Sequence, residues 1–270
     1  MASFEIRNLT FTYPEAKQPA LSDIDFVIRP GEFVVICGKS GCGKTTLLRH
    51  FKTAMSPYGE RSGEIVFDGK LLEQVSMRTQ TSQIGYVLQS PDNQIVTDKV
   101  WHELAFGVEN LGYDQRTIRL RVAEMASFFG IQNWFSKSVE ELSGGQKQLL
   151  NLASVMAMQP KVLVLDEPTS QLDPIAAAEF LSTIRKINME LGTTVIIIEH
   201  RLEEVFPMAD NVLVLEDGRQ LFYDEPRKVG TCLAGNDLFL AMPSPVQIYD
   251  GTGQQGVCPL MVCEGRNCLS

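Results

Sequence analysis

A chain of 270 residues with 44% hydrophobic residues can bury the core of one large domain, or of a core with a smaller subdomain and a tail. The formal charge of −9 argues against a broad basic face for duplex nucleic acid, and we expect no nucleic-acid partner. The sequence has no apolar run near the roughly 18–20 residues that span a bilayer, and Met1 precedes polar residues rather than a signal peptide. If the protein serves a membrane process, a partner must supply the membrane part.

Strand patterns dominate the first ninety residues. Apolar and polar residues alternate in two early segments, and a continuous apolar run then predicts a parallel strand covered on both faces. A helix should follow that buried strand after a glycine-rich turn. The predicted elements are strands at 4–12, 21–28, 33–37, 63–70 and 84–88 and a helix at 45–51.

Residues 91–141 change to helical periodicity without strong strand patterns. This segment predicts a helical insertion within the surrounding core. Trp101 and Phe106 lie on its apolar faces, and we expect core packing rather than a binding site for both.

Alternating strands and helices return after the insertion. They predict an α/β fold with a mostly parallel sheet and helices on both faces. We expect a main domain at 1–230, with its helical subdomain at about 91–158, and a C-terminal extension or linker at 231–270. The remaining predicted elements are helices at 145–158 and 175–191, strands at 162–165 and 194–198, a hairpin at 211–222 and a loop at 251–256.

A phosphate-binding loop is predicted where the buried strand at 33–37 meets the following helix. The sequence GKSGCGKT fits G-x-x-x-x-G-K-[ST], and the flanking strand and helix disfavour a chance match. Its glycines let backbone N–H groups point at one anion, Lys44 would reach the β and γ phosphates, and the Thr45 hydroxyl would bind Mg²⁺. The nucleotide-binding candidates are Gly38, Lys39, Ser40, Gly41, Cys42, Gly43, Lys44, Thr45 and Thr46.

Polar side chains follow three predicted strands, where ligands bind in open α/β sheets. Asp166 would hold Mg²⁺ and Glu167 would polarise the attacking water, although both could also be solvated charges at a strand end. Gln89 could bind Mg²⁺ or the attacking water. His200 could contact a γ-phosphate, against the alternative of a structural histidine.

A second anion-binding helix start is predicted at Ser143-Gly144-Gly145, before a helix beginning near Gln146. Taken alone, Ser143 is an ordinary N-cap. The chain has one phosphate loop but two such termini, so a γ-phosphate held between the loop and the facing turn of another copy would explain both.

In these motifs the chain resembles the nucleotide-binding subunit of ATP-binding cassette (ABC) transporters over roughly residues 3–230. The resemblance implies an ATPase domain at 1–230 with a P-loop NTPase (RecA-like) core, an antiparallel β subdomain and the helical insertion. It implies that this domain uses ATP and Mg²⁺, with Mg²⁺ held by Thr45, Gln89 and Asp166. It also implies a head-to-tail dimer with a second cassette. The matching positions are Tyr13 for adenine stacking, GKSGCGKT, Gln89 in the Q-loop, LSGGQ with Ser143, Gly144, Gly145 and Gln146, VLVLDE with the catalytic candidate Glu167, Asp173 in the D-loop, and His200 at the switch position. Gln171 stands where this D-loop usually has Ala.

A finer resemblance follows the Q-loop, where residues 89–95 and 103–110 look like the ATPases of energy-coupling factor importers. Those take up vitamins or metal ions such as cobalt or nickel in prokaryotes. The resemblance implies a cytoplasmic location at the cell membrane, a transmembrane coupling protein and a substrate-binding membrane protein as partners. Acidic residues would suit basic side chains of the coupling protein: Asp92, Glu103 and Glu109.

Two questions stay open from sequence alone. The alternative function is a soluble ABC ATPase acting on nucleic acid or ribosomes, but the long coiled coils and basic linkers of such proteins are missing from this sequence. Residues 258–266 resemble the connector of fused tandem ATPases, against the alternative of a short extension.

The cysteines beside the phosphate loop predict a reducing cytosol. Cys258, Cys263 and Cys268, spaced by five, are a weak metal-site pattern.

Overall fold

The computed structural model describes residues 3–251, 253 and 256–268. The chain divides into two compact units, one formed by Met1–Gln74 with Ile196–Ser270 and the other by Val75–Val195.

The first unit contains the predicted antiparallel strands. Phe4 pairs with Ile28 on one neighbouring strand and with Phe67 on the other. The Phe4 ring lies 4.7 Å from the ring of Phe51, so the inward face of these strands forms an aromatic core. The strands are β1 (Phe4–Thr12), β2 (Leu21–Ile28), β4 (Glu60–Phe67) and β5 (Lys70–Leu71).

The same unit carries the buried strand that leads to the phosphate loop. Strand β3 (Phe33–Gly38) is apolar and buried except at its last residue, and it pairs in parallel with β9 (Asn211–Glu216). Helix α1 (Lys44–His50) follows β3. Strand β10 (Arg219–Asp224) completes the predicted hairpin, and the strand order in this unit is β5-β4-β1-β2-β10-β9-β3.

Three α-helices and a 3₁₀ helix (Asp237–Ala241) lie in the described part of the C-terminal segment, where the sequence pattern predicts no regular element. Arg227 donates to both carboxylate oxygens of Glu264, at 3.1 and 2.8 Å, and this ion pair ties the ends of the segment together. The predicted loop at 251–256 lies partly outside the described residues. Four helices follow β8 (Thr194–Ile198): α7 (Leu202–Val205), α8 (Pro226–Cys232), α9 (Ser244–Gly251) and α10 (Val262–Cys268).

The second unit contains the helical insertion and two parallel strands. Residues 91–141, all of them described, contain no strand, as predicted. Strand β6 (Ile84–Val87) pairs in parallel with β7 (Val162–Asp166). The helices are α2 (Met77–Gln83), α3 (Val100–Asn110), α4 (Gln115–Phe129), α5 (Gly144–Ala157) and α6 (Pro174–Leu191).

Local sequence explains where the long helices begin and end. Asp173 caps α6 by accepting hydrogen bonds from the N–H groups of Ile175 and Ala176, and Pro174 occupies the first turn. Gly192 ends the helix in the left-handed conformation.

The core prediction is wrong for Phe106, which lies on α3 and is 43% exposed. Phe106 follows the buried Ala105 on α3, but its own side chain lies on the exposed face of that helix. Among the described residues, no helix is long and apolar enough to cross a membrane.

Candidate active site

The predicted phosphate loop of the first unit joins β3 to α1 and requires glycine. Gly38, Gly41 and Gly43 have φ values of +148°, +80° and +102°, which L side chains rarely adopt. A Cβ at Gly38 would lie 2.2 Å from the Leu215 carbonyl oxygen, and one at Gly43 would lie 2.5 Å from that of Ala20. The loop backbone therefore comes too close to its neighbours for any side chain at these two positions.

Lys44 supplies a buried positive charge to this loop. Its side chain is 5% exposed, and its ammonium group donates to the carbonyl oxygens of Gly38 and Lys39 at 2.9 and 3.0 Å. Helix α1 begins at Lys44 with no side-chain cap and no acidic residue in its first turn. A buried ammonium group beside an uncapped helix start fits the phosphates of a nucleotide.

Tyr13 lies next to the phosphate loop through Thr46. The two hydroxyl groups are 3.0 Å apart, and the Tyr13 ring meets the Phe11 ring edge to face with centroids 4.8 Å apart. The contact brings together two of the predicted nucleotide-binding residues. Adenine stacking on Tyr13 stays a prediction.

His200 and the phosphate loop line one small cavity of about 30 Å³. The backbone N–H of His200 donates to the buried carboxylate of Glu199 at 3.1 Å. Sequence reasoning missed part of the wall, because the C-terminal segment has no clear periodicity. The lining residues are Cys37, Gly38, Glu199, His200, Leu202, Leu238, Ala241 and Met242.

In the second unit, two predicted catalytic side chains are in contact. Strand β7 ends at Asp166, which is 8% exposed, and Glu167 follows with a φ of +47°. The amide nitrogen of Gln89 donates to a carboxylate oxygen of Glu167 at 3.1 Å. Backbone strain of this kind at a non-glycine residue often marks a functional position. Glu167 is therefore held in a defined position at the end of β7.

The predicted signature turn is an N-cap in the single chain. The Ser143 hydroxyl accepts from the N–H of Gln146 at 3.3 Å, and the Gln146 side chain accepts from the N–H of Ser143 at 3.0 Å. This capping box begins α5 at Gly144, one residue before the start of the helix predicted at 145–158. A cavity of about 340 Å³ opens beside it, lined by Trp134, Ser143, Gly145, Gln146, Leu149, Ala176, Glu179, Phe180 and Thr183.

Polar side chains of α5 that the sequence analysis did not single out hold the Q-loop. Lys147 forms an ion pair with Asp92 at 2.7 Å, and the buried Asn151 donates to the Pro91 carbonyl oxygen at 3.4 Å. The buried Gln148 contacts both the Q-loop and the turn after β7. The sequence does contain a signal for these contacts, since polar residues interrupt the apolar stripe of α5.

These contacts correct the acidic docking hypothesis. Glu103 is 4% exposed, and its carboxylate accepts the N–H groups of Val96 and Thr97 at 3.1 and 3.0 Å. Asp92 pairs with Lys147, but its side chain is 67% exposed, so it stays a candidate for docking. Glu103 is therefore a structural cap, whereas Glu109 is exposed.

The metal candidates Thr45, Gln89 and Asp166 offer hydroxyl, amide and carboxylate oxygens. Magnesium prefers such oxygens and is commonly held by one or two carboxylates together with substrate phosphates. The described residues contain no group of three or more His, Cys, Asp or Glu side chains suited to a metal. Each of the three side chains therefore offers an oxygen of the type that magnesium accepts, and their joint role in holding the ion stays a prediction.

The fold and the motif order define an ATP-binding domain of the ABC class. A family profile described as ABC transporter matches residues 21–170, and the chain belongs to this family. The predicted family and fold are thereby confirmed.

The chain is also similar to individual members of this family. A putative ABC transporter ATP-binding protein of Bacillus thuringiensis subsp. konkukian is 50% identical over 229 residues, which are 85% of this chain and 42% of that protein. The energy-coupling factor transporter ATP-binding protein EcfA1 of Symbiobacterium thermophilum is 41% identical over 88% of this chain and 82% of its own length. The structure of cbiO1 from Clostridium perfringens, described as part of the ABC transporter complex cbiONQ, has a TM-score of 0.76 at 32% identity and covers 89% of this chain and 97% of that chain. This chain spans less than half the length of the first of these relatives.

Proposed function

We propose that this chain hydrolyses ATP to power a membrane importer of the energy-coupling factor type, for vitamins or metal ions. The observation that carries the proposal is the 3.1 Å hydrogen bond between Gln89 and Glu167 in a chain whose phosphate loop already has its glycine geometry. Similarity to EcfA1 and cbiO1 supports the importer class.

Hydrolysis forms a bond between water oxygen and the γ-phosphorus and breaks the bond to the β–γ bridging oxygen. Glu167 accepts the proton of the attacking water, and Gln89 orients that carboxylate. Lys44 donates to phosphate oxygens in place of its present carbonyl partners. Magnesium held by Thr45, Gln89 and Asp166 would neutralise phosphate charge. His200 contacts the γ-phosphate.

The proposal includes a head-to-tail dimer with a second cassette, which is identical, different or part of the same polypeptide. Ser143, Gly144, Gly145 and Gln146 then serve the ATP of the facing cassette, with Asp173 at the contact. The N-terminus of α5 is a suitable anion site because it presents backbone N–H groups and no acidic residue in its first turn.

A transmembrane coupling protein and a substrate-binding membrane protein complete the proposed assembly at the cytoplasmic face of a prokaryotic membrane. The helical insertion offers the exposed side chains Val96, Phe106 and Glu109 to the coupling protein. Asp92 and Glu109 are the exposed acidic residues that would meet basic side chains of the coupling protein, whereas reversing the charge of the buried Glu103 would disturb folding itself.

The decisive variant is Glu167→Gln, with Glu124→Gln on the exposed face of α4 as a matched control. Loss of the proton acceptor should lower kcat by about 10²–10⁴-fold while ATP affinity stays within a few-fold of wild type. Phosphate release measures turnover, equilibrium binding measures affinity, and size-exclusion chromatography with ATP detects a trapped dimer. Turnover of Glu167→Gln within threefold of wild type would refute the catalytic assignment.

A further inference from the structure

Gln148 occupies a position in α5 where a polar side chain is costly. Its side chain has no exposed surface, and burial of an amide is unfavourable unless hydrogen bonds compensate for the lost water. The amide nitrogen donates to the carbonyl oxygens of Pro168 and Leu88, at 3.0 and 3.3 Å. In the described part of the chain the amide oxygen accepts no hydrogen bond. Both of these hydrogen bonds of the Gln148 side chain are therefore donated by its NH₂ group.

The two acceptors of Gln148 flank the proposed catalytic pair. Leu88 immediately precedes Gln89, and Pro168 immediately follows Glu167. One NH₂ group thus joins the two backbone segments whose side chains meet at 3.1 Å. Glu167 has a φ of +47°, and such a conformation persists only where the surrounding contacts hold it.

We infer that Gln148 is a positioning residue for ATP hydrolysis, which fixes the separation of Gln89 and Glu167 through their neighbouring carbonyl groups. The inference rests on the proposed function, because it acts through the roles given to that pair. Gln148 lies on the helix that begins at Ser143. The same helix therefore carries the proposed signature turn at its start and the support of the catalytic pair one turn later.

Asn151 provides a natural comparison on the same helix. It is equally buried and lies three residues after Gln148, but its amide donates only to the Pro91 carbonyl oxygen, at 3.4 Å. This hydrogen bond reaches the Q-loop segment, and within the described residues the Asn151 amide donates none to the turn that carries Glu167. Replacement of Asn151 should disturb packing to a similar degree without releasing that turn.

The test compares Gln148→Met with Asn151→Leu, each alone and combined with Gln89→Ala. Gln148→Met keeps the length of the side chain and removes the donor. We expect it to lower kcat about tenfold with ATP affinity within twofold of wild type, and to lower Tm no more than Asn151→Leu does. In the Gln89→Ala background, Gln148→Met should lower kcat by less than twofold, because the pair it positions is already broken.

Two outcomes would overturn the inference. Equal losses of kcat in Gln148→Met and Asn151→Leu would leave only a packing role, and full multiplicative losses in the double variant would show that Gln148 does not act through Gln89. These results differ from failure of the proposed function, which Glu167→Gln reports independently.

Gln148→Glu supplies a second readout if the methionine variant is poorly folded. A protonated carboxyl group can donate one hydrogen bond to the same carbonyl groups, whereas an ionised one cannot. The ratio of kcat for Gln148→Glu to that of wild type should rise as the pH is lowered from 8 to 6. A ratio independent of pH would contradict the positioning role.

Discussion

Alanine substitutions at two glycines of the phosphate loop test its geometry, because only one of the two added Cβ atoms would clash with a neighbouring backbone group. Gly41 and Gly43 both have positive φ values, +80° and +102°. A Cβ at Gly41 would meet nothing within 4 Å, whereas one at Gly43 would lie 2.5 Å from the Ala20 carbonyl oxygen and 3.0 Å from a methyl carbon of Leu21. Gly41→Ala therefore adds backbone strain alone, and Gly43→Ala adds the same kind of strain and a clash.

The magnitudes follow from these two contributions. Forcing a non-glycine residue into this backbone region costs about 1–3 kcal/mol, and the clash with a fixed carbonyl group adds about 1–3 kcal/mol. If the loop relieves the clash by leaving its binding conformation, the ATP dissociation constant rises in proportion to the lost population. An added cost of about 2 kcal/mol corresponds to roughly thirtyfold weaker binding of Gly43→Ala than of Gly41→Ala.

Isothermal titration calorimetry of ATP binding to both variants measures this difference directly. Thermal unfolding serves as the control, because a collapsed fold would also abolish binding. Equal ATP affinities in two folded variants would refute the argument that the contact with Ala20 sets the shape of the loop.

The remaining predictions concern the cysteines and the C-terminal ion pair. Cys232 and Cys263 are exposed, whereas Cys42 is buried, and burial raises the pKa of its thiol. Iodoacetamide should therefore modify Cys232 and Cys263 at least about tenfold faster than Cys42. Equal modification rates, measured by peptide mass spectrometry, would contradict the burial of Cys42. Hydrogen bonds from Arg227, with a smaller contribution from the Leu260 N–H, lower the pKa of Glu264 to about 2 from 4.5. The stabilisation from this lowered pKa is complete above the ordinary pKa of 4.5 and is lost as the pH falls toward 2. Because the ion pair is partly exposed, Glu264→Gln should lower the free energy of unfolding by only about 0.5–1 kcal/mol near pH 6. The loss should be smaller near pH 3. Urea unfolding at both pH values checks this, and a pH-independent difference would contradict it.

The elements around the phosphate loop were predictable because strong local signals agree there. The buried strand at 33–37 and the following helix were predicted to within one residue at each boundary. The start of α5 was placed too late because its capping box uses Gln146 inside the helix rather than at its start. Local sequence therefore fixes such elements where apolar runs, glycines and caps all indicate the same boundary.

Tertiary contacts decide what the sequence pattern leaves undetermined. Glu103 looks like a surface charge on α3, yet it is buried because two backbone N–H groups of the preceding turn need an acceptor. Helices α8, α9 and α10 have only seven or eight residues each, so they present too few turns for a periodic pattern. Leu238 and Met242 line the cavity beside His200 because the folded C-terminal segment packs there, and no local sequence pattern indicates this contact.

Both proposed anion-binding groups already have partners in the single chain, and this limits what nucleotide binding can gain. The Lys44 ammonium group donates to the carbonyl oxygens of Gly38 and Lys39, and Ser143 is engaged in its capping box. Phosphate binding at Lys44 therefore exchanges hydrogen bonds rather than adding them, and such exchanges contribute only about 0.5–1.5 kcal/mol each for neutral partners and more for charged ones. The charge of the phosphate makes the exchange at Lys44 favourable. At Ser143 the hydroxyl is held by a 3.3 Å contact, which is long for a hydrogen bond. Turning it toward the nucleotide of the proposed facing cassette would give up this N-cap, at a cost of about 0.5–2 kcal/mol.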